Sequence, residues 1–221
     1  MKILGIETAT KATSVALCNN GKILGEITAN TQKVHSKTLA PMIVTLLDLV
    51  GENLKDIDVF AVSGGPGSFM GLRIGLSIAK GFAVVENKPI AVVPTLRGLA
   101  ENTAFLKFER VALVCATLDA RCSNVYAGVW KLTNENFTPL CANKLICVTE
   151  LETKLSLLKQ QLNLPLILVG NGLYNSQLAA TSIVFSESNA NPRATSICKL
   201  AENRKFWYNA ATATPIYLKN L

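Results

Sequence analysis

The stretch Val59-Phe60-Ala61-Val62-Ser63-Gly64-Gly65-Pro66-Gly67-Ser68-Phe69-Met70-Gly71-Leu72-Arg73-Ile74-Gly75 decides how this chain is read. Val59 to Ser63 is a short apolar run rich in β-branched and aromatic residues, which predicts a buried strand. Four glycines and a proline follow, the punctuation of a strand-to-helix turn. Beyond them Leu72, Ile74, Leu76, Ile78, Phe82 and Val85 make a helix apolar nearly all round, so it is expected to be buried on several sides. Gly71, Gly75, Ala79 and Ala83 recur at every fourth position and form a stripe without bulk. Such a stripe lets another element approach the helix backbone closely.

Toward the N-terminus, Lys2 to Ile6 is an apolar run ending at Glu7, and Ser14 to Cys18 is a second. Asn19-Asn20-Gly21 is a hairpin signal, because Asn and Gly tolerate positive φ. Ile23 to Ala29 completes a three-stranded meander. Leu39, Met42, Ile43, Leu46, Leu47 and Val50 have helical spacing, with Pro41 expected in the first turn and Thr38 or Lys37 as cap. On the other side of the glycine loop, Pro89 to Val93 reads as a strand, and Pro94-Thr95 opens a short helix to about Asn102.

The pattern restarts around Lys107. Arg110 to Leu118 is a strand ending at Asp119, and Val125 to Leu132 is the next, turning at Thr133-Asn134-Glu135-Asn136. A third strand is expected near Thr138 to Cys147. Thr149 and Glu152 suggest a capping box for a helix to about Leu162. Leu166 to Val169 is a buried strand closed by Gly170-Asn171-Gly172, and a last helix is expected from Ala194 to Lys205. Each half opens with a strand ending in an acid and later reaches a buried strand ending in glycines. This favours two α/β lobes, residues 1–105 and 106–221, with mixed sheets flanked by helices and an apolar tail that can pack back on the first lobe.

Composition narrows the class. Of 221 residues 49% are hydrophobic, which excludes a disordered chain. Charged residues are 17%, against roughly 25% in ordinary domains, a pointer to a covered surface. The net charge of +7 suits a polyanion, but no segment holds a dense basic block. The start Met1–Thr10 reads as a strand rather than a signal peptide, and no apolar run spans a membrane, so a reducing, cytoplasmic setting is expected. The six cysteines make no C-x-x-C pair and are expected to be reduced and buried.

Chemistry could sit in a few places. Gly65, Pro66, Gly67 and Ser68 could bare backbone N–H groups to an anion, or could simply form a tight turn. The loop is not a P-loop, because no Lys-Ser/Thr follows, nor a G-x-G-x-x-G. The Gly71, Gly75, Ala79, Ala83 stripe, beside Leu39, Met42, Ile43 and Leu46, fits either packing inside its lobe or a subunit interface; the interface is the expectation carried forward. Glu7 and Asp119 could hold metal-bound phosphate or cap turns. Asp119 and Arg121 could form an ion pair. His35 is the only histidine, so a multi-histidine metal site is excluded.

These landmarks together resemble the TsaB family of bacterial tRNA threonylcarbamoyladenosine biosynthesis proteins. The matching pieces are Ile3–Thr10 with Ser14–Leu17, His35-Ser36 before Leu39 and Pro41, Gly65–Gly75, Asp119-Ala120-Arg121 with Val125-Tyr126, and Pro215–Leu218. Glu7, Met70, Asn124 and Lys219 depart from the usual residues. The resemblance implies a two-lobe actin- and sugar-kinase-like (ASKHA) fold. It implies a non-catalytic scaffold or activating partner of a TsaD-like subunit that transfers threonylcarbamoyl to an adenosine beside the anticodon. A TsaE-like ATPase joins the complex, and a TsaC-like enzyme makes the adenylate donor. ATP and Mg are then used by the complex, no cofactor or metal is held by this chain alone, tRNA is met indirectly, and a homodimer is possible in isolation. Where TsaD-like relatives carry two histidines four apart, this chain has Thr95 and Leu99. The rival readings are a two-lobe nucleotide hydrolase, a glycoprotease-like peptidase and a tRNA-binding module.

Overall fold

The computed structural model describes residues 1–30, 35–105, 111–134, 136–173, 176–185 and 190–218. The expectations at Lys107, Arg110, Glu135 and Lys219 lie outside these residues. The chain forms two compact units, Met1–Gly98 with Pro192–Tyr217, and Leu99–Asn191. The expected boundary at residue 105 gives way to one at Gly98, and a late segment returns to the first unit.

The first unit is built on β1 (Lys2–Glu7), β2 (Thr13–Asn19), β3 (Lys22–Ala29), β4 (Val59–Gly65), β5 (Ile90–Pro94) and β11 (Trp207–Tyr208), in the order β11-β5-β4-β1-β2-β3. β1, β2 and β3 pair antiparallel, whereas β4 runs parallel to β1 and to β5. Side chains alternate across the sheet. Leu4, Ile6, Val15, Leu17, Phe60 and Val62 point to one face, where α1 (His35–Val50) and α2 (Phe69–Val85) cover them. Ile3, Ala16, Val59, Ala61 and Val93 point to the other, under α5 (Ala194–Ala201). Gly5 is the contact point on that face, since a Cβ there would lie 2.5 Å from the Ala194 carbonyl oxygen. A polar clamp holds the start of α5. Glu26 pairs with Arg193 and accepts from Thr195 N at 3.3 Å and Thr195 Oγ1 at 3.2 Å.

The second unit repeats this scheme. β6 (Ala112–Asp119), β7 (Asn124–Thr133) and β8 (Asn136–Cys147) form an antiparallel meander, and β9 (Leu166–Gly170) and β10 (Ile183–Val184) extend it in parallel, in the order β10-β9-β6-β7-β8. The helix α4 (Val148–Leu162) buries Leu151 and Leu155 against Leu113, Val125, Ile146 and Leu168.

Several local expectations are corrected. α1 begins at His35, so Pro41 lies beyond its first turn; its ring sits on the exposed side. The capping box at Thr149 does not form. Thr149 is already helical, and Glu152 Oε1 instead accepts from Gln177 N at 3.0 Å. α5 ends at Ala201, and Arg204–Phe206 is a separate 3₁₀ turn leading into β11. The six cysteines are free, but only Cys18, Cys115 and Cys198 are buried.

Candidate functional site

The C-terminal ends of β1 and β4 and the start of α2 meet in the first unit. Glu7 closes β1 and is completely buried. Its Oε1 accepts from Ala9 N at 2.6 Å and from Ser63 Oγ at 3.0 Å, while Oε2 has no partner. Burial away from water pushes its carboxyl up to about 7, against the pull of the Ala9 and Ser63 hydrogen bonds. An acid sealed inside a strand end, with burial opposing its ionisation, fits magnesium-bound phosphate poorly.

The glycine loop leaves β4 through a cis Gly65–Pro66 bond. Gly65 has φ +121°, a conformation that favours glycine, and the Ile216 carbonyl fills the space a side chain would take. Three loop and helix-start amides already have partners: Gly65 N donates to Thr95 Oγ1 at 3.0 Å, Ser68 N to Ala9 O at 2.7 Å, and Gly71 N to Ser68 Oγ at 3.2 Å. Ser68 is thus the N-cap of α2. Of the four loop residues expected to offer an anion site, Gly65 and Ser68 turn their N–H groups to the chain's own oxygens, and Pro66 has none.

The small-residue stripe faces inward. A Cβ on Gly75 would lie 2.5 Å from Thr8 Oγ1, and Thr8 Oγ1 donates to Gly71 O at 2.7 Å. Ala79 and Ala83 are buried in the core with Leu39, Met42, Ile43 and Leu46. All eight residues expected at a subunit interface therefore pack inside the first unit; the element that approaches α2 is its own sheet. The outward side of α2 exposes Phe69, Met70, Val84 and Val85, and α1 exposes Val44 and Leu49. Val85 is 79% and Leu49 74% exposed, high for aliphatic side chains. At the start of α2, Arg73 lies 3.8 Å from the centroid of Phe69, and its Nε donates to Tyr217 Oη at 3.3 Å. The all-round apolar character of α2 was the signal for this second face.

His35 begins α1, and its Nδ1 shares a 2.7 Å hydrogen bond with Thr13 Oγ1. Asp119 Oδ1 accepts the backbone N–H of Arg121 rather than its guanidinium. Arg121, Cys122 and Ser123 all have positive φ, forming a left-handed turn. Thr95 and Leu99, expected where relatives carry histidines, lie on the short helix α3 (Thr95–Glu101) and are both fully buried. Among the described residues no group of three His, Cys, Asp or Glu side chains could hold a metal ion, and no helix is long and apolar enough to cross a membrane.

Comparison with known proteins fits this architecture. Residues 22–205 match the family model for TsaD, tRNA N6-adenosine threonylcarbamoyltransferase. The TsaB protein of Buchnera aphidicola subsp. Schizaphis graminum is 32% identical over 171 residues, 77% of this chain and 78% of that protein. The chain belongs to the TsaB family. The Escherichia coli (strain K12) TsaB is 40% identical over 126 residues, 57% of this chain; the match spans only about half of that relative's length, 53%. The solved structure of YeaZ from Pseudomonas aeruginosa aligns over 98% of this chain and 99% of its own, at 25% identity and a TM-score of 0.77. A ROK hexokinase from Thermus thermophilus shares the fold at a TM-score of 0.51 and 10% identity, covering 90% of this chain and 98% of its own. This TsaB-family chain therefore has the sugar-kinase-like architecture.

Proposed function

We propose that this chain is the non-catalytic, activating subunit of the complex that adds a threonylcarbamoyl group to the adenosine beside the tRNA anticodon. The observation that carries the reading is the pair Thr95 and Leu99. Both stand where the transferase relatives are expected to hold metal-binding histidines, and the Thr95 hydroxyl is engaged by Gly65 N. Neither side chain can replace an imidazole ligand. The chain acts instead by docking on a TsaD-like catalytic subunit in the cytoplasm, alongside a TsaE-like ATPase and downstream of a TsaC-like adenylate synthase, with ATP and Mg used by the complex.

The docking face is the outward side of α1 and α2, with Val44, Leu49, Met70, Val84 and Val85. Apolar side chains left in water at this density gain free energy when a partner covers them, at about 25 cal/mol per Å². The same face would pair two copies of the chain when the catalytic subunit is absent. Depleting the protein should lower threonylcarbamoyladenosine in bulk tRNA, read by nucleoside mass spectrometry. Unchanged levels would overturn the role.

A further inference from the structure

Ile3, Gly5, Ala16 and Cys18 form a square on the α5 side of the first sheet, because Ile3 stands opposite Cys18 and Gly5 opposite Ala16 in the β1–β2 register. Cys198 of α5 sits over that square. Its Sγ lies 3.4 Å from Ile3 O and 3.6 Å from Ala16 O, and 2.6 Å from where a Cβ on Gly5 would stand. The missing Cβ of Gly5 is what lets α5 sink so far onto the sheet. Cys18 is the fourth corner, so the two thiols lie side by side. Both are free; Cys198 is 1% and Cys18 5% exposed. A hydrogen bond from Cys198 holds the Cys18 thiol below its ordinary range, against burial and the Glu26 and Glu202 carboxylates. Burial pushes the Cys198 thiol well up. Cys18 also stands nearer to water, beside the turn in which Asn20 and Gly21 are exposed.

We propose that Cys18 and Cys198 are a modification site, which hydrogen peroxide closes to a reversible disulfide. A disulfide needs Cα atoms about 4.4–6.8 Å apart, and a helix sunk onto a glycine beside the strand meets that need. The two environments set the order of events. The Cys18 thiolate attacks one peroxide oxygen, the O–O bond breaks, and the hydroxide that leaves takes up the proton Cys18 released; Cys18 then carries a sulfenic acid. Cys198 Sγ attacks the Cys18 sulfur, the S–S bond forms, the S–O bond breaks, and the Cys198 proton departs with the hydroxide as water. The thiols together lose two electrons, and one peroxide becomes two waters. The bridge ties β2 to α5, so the late segment Pro192–Tyr217 can no longer peel from the first unit. A thiol reductant reopens it by exchange. The site is separate from the α1 and α2 face and independent of the proposed tRNA-modifying role.

The test treats the full chain with hydrogen peroxide, caps the remaining thiols with iodoacetamide in denaturant and digests with trypsin. Cleavage after Lys and Arg releases Ala12–Lys22 and Ala194–Lys199, each with one cysteine. Mass spectrometry should find these two peptides joined, with two hydrogens lost, and dithiothreitol should separate them. The oxidised chain should have a urea midpoint higher by about 1 M or more, a shift that the reductant removes. Cys198→Ala lacks the second thiol, so peroxide should leave on Cys18 a sulfenic acid that dimedone labels. In Cys18→Ala the sealed Cys198 should stay unlabelled. Where a variant fails to fold, the peptide map of the wild-type chain decides alone. Capped, unjoined Cys18 and Cys198 after peroxide would overturn the proposal. So would bridges to the exposed Cys122 or Cys141 in their place, or a joined pair with no shift of the midpoint.

Discussion

Gly75 of α2 packs directly on Thr8 at the end of β1, close enough that a Cβ on Gly75 would come within 2.5 Å of the threonine hydroxyl oxygen. That hydroxyl is fixed by its bond to the Gly71 carbonyl, so it cannot swing aside without losing a buried partner. Gly75→Leu should therefore destabilise the chain by about 2 kcal/mol, overpacking outweighing the better helix propensity of leucine. Calorimetry should show a melting temperature lower by about 4–8 °C. An unchanged melting temperature would mean that α2 can lift from the sheet.

Substitutions on the opposite side of α2 should behave in reverse. Val84→Asp and Val85→Asp touch exposed positions, so stability should stay within about 0.5 kcal/mol of wild type. Association with the catalytic subunit should fall at least about tenfold, the effect of about 1.4 kcal/mol lost at a covered apolar position. Isothermal titration of each variant against that subunit checks this, and full affinity would move the docking face elsewhere.

Glu7 should make stability depend on pH. Its carboxyl is raised from 4.5 to about 7 by burial, so between those values the folded chain holds a proton that the unfolded chain has released. Stability contributed by this group is complete below about pH 4.5, declines as pH rises through 7, and then levels off, a total of about 3 kcal/mol. Glu7→Gln keeps an oxygen for Ala9 N and Ser63 Oγ and carries no charge. Denaturant melts should find the variant close to wild type at pH 5 and more stable at pH 8. Equal differences at both values would show that the carboxyl finds water.

The clamp on α5 is a fourth target. Glu26→Ala removes the partner of Arg193 and the acceptor of Thr195 N and Oγ1 at once. Arg193 is 41% exposed and can be rehydrated, so the loss should be about 2 kcal/mol rather than the larger cost of a sealed pair. Urea melts should show it. Arg193→Met, which leaves the 10% exposed Glu26 carboxylate without its cation, should cost at least as much.

Much of the fold was legible because local patterns dictate it. Lys2–Ala29 has two apolar runs and an Asn-Gly turn, and Val59–Val85 has a buried strand, a glycine break and helical spacing. The destination of the Gly71–Ala83 stripe was not legible. A stripe of small residues states that something comes close; it does not say whether that is a second helix or the sheet beneath. Strands of two residues such as β10 and β11 are too short to show a period. The placement of α5 is a long-range fact, yet one residue hinted at it. Gly5 interrupts an otherwise bulky strand, and a glycine there marks a close backbone approach. The candidate site was half readable: sequence located the glycine loop, but only the structure reveals that the Gly65 and Ser68 amides turn to the chain's own oxygens.

The return of Pro192–Tyr217 to the first unit sets an order on synthesis. A ribosome releases β1 to β5 early, but α5 and β11 emerge only after Leu99–Asn191, the bulk of the second unit. Until then one face of the first sheet, with Ile3, Ala16, Val59, Ala61 and Val93, is uncovered and the outer side of β5 is unpaired. The unit that starts first therefore finishes last. For that interval the nascent chain presents an apolar surface and an open strand edge of the kind that chaperones hold.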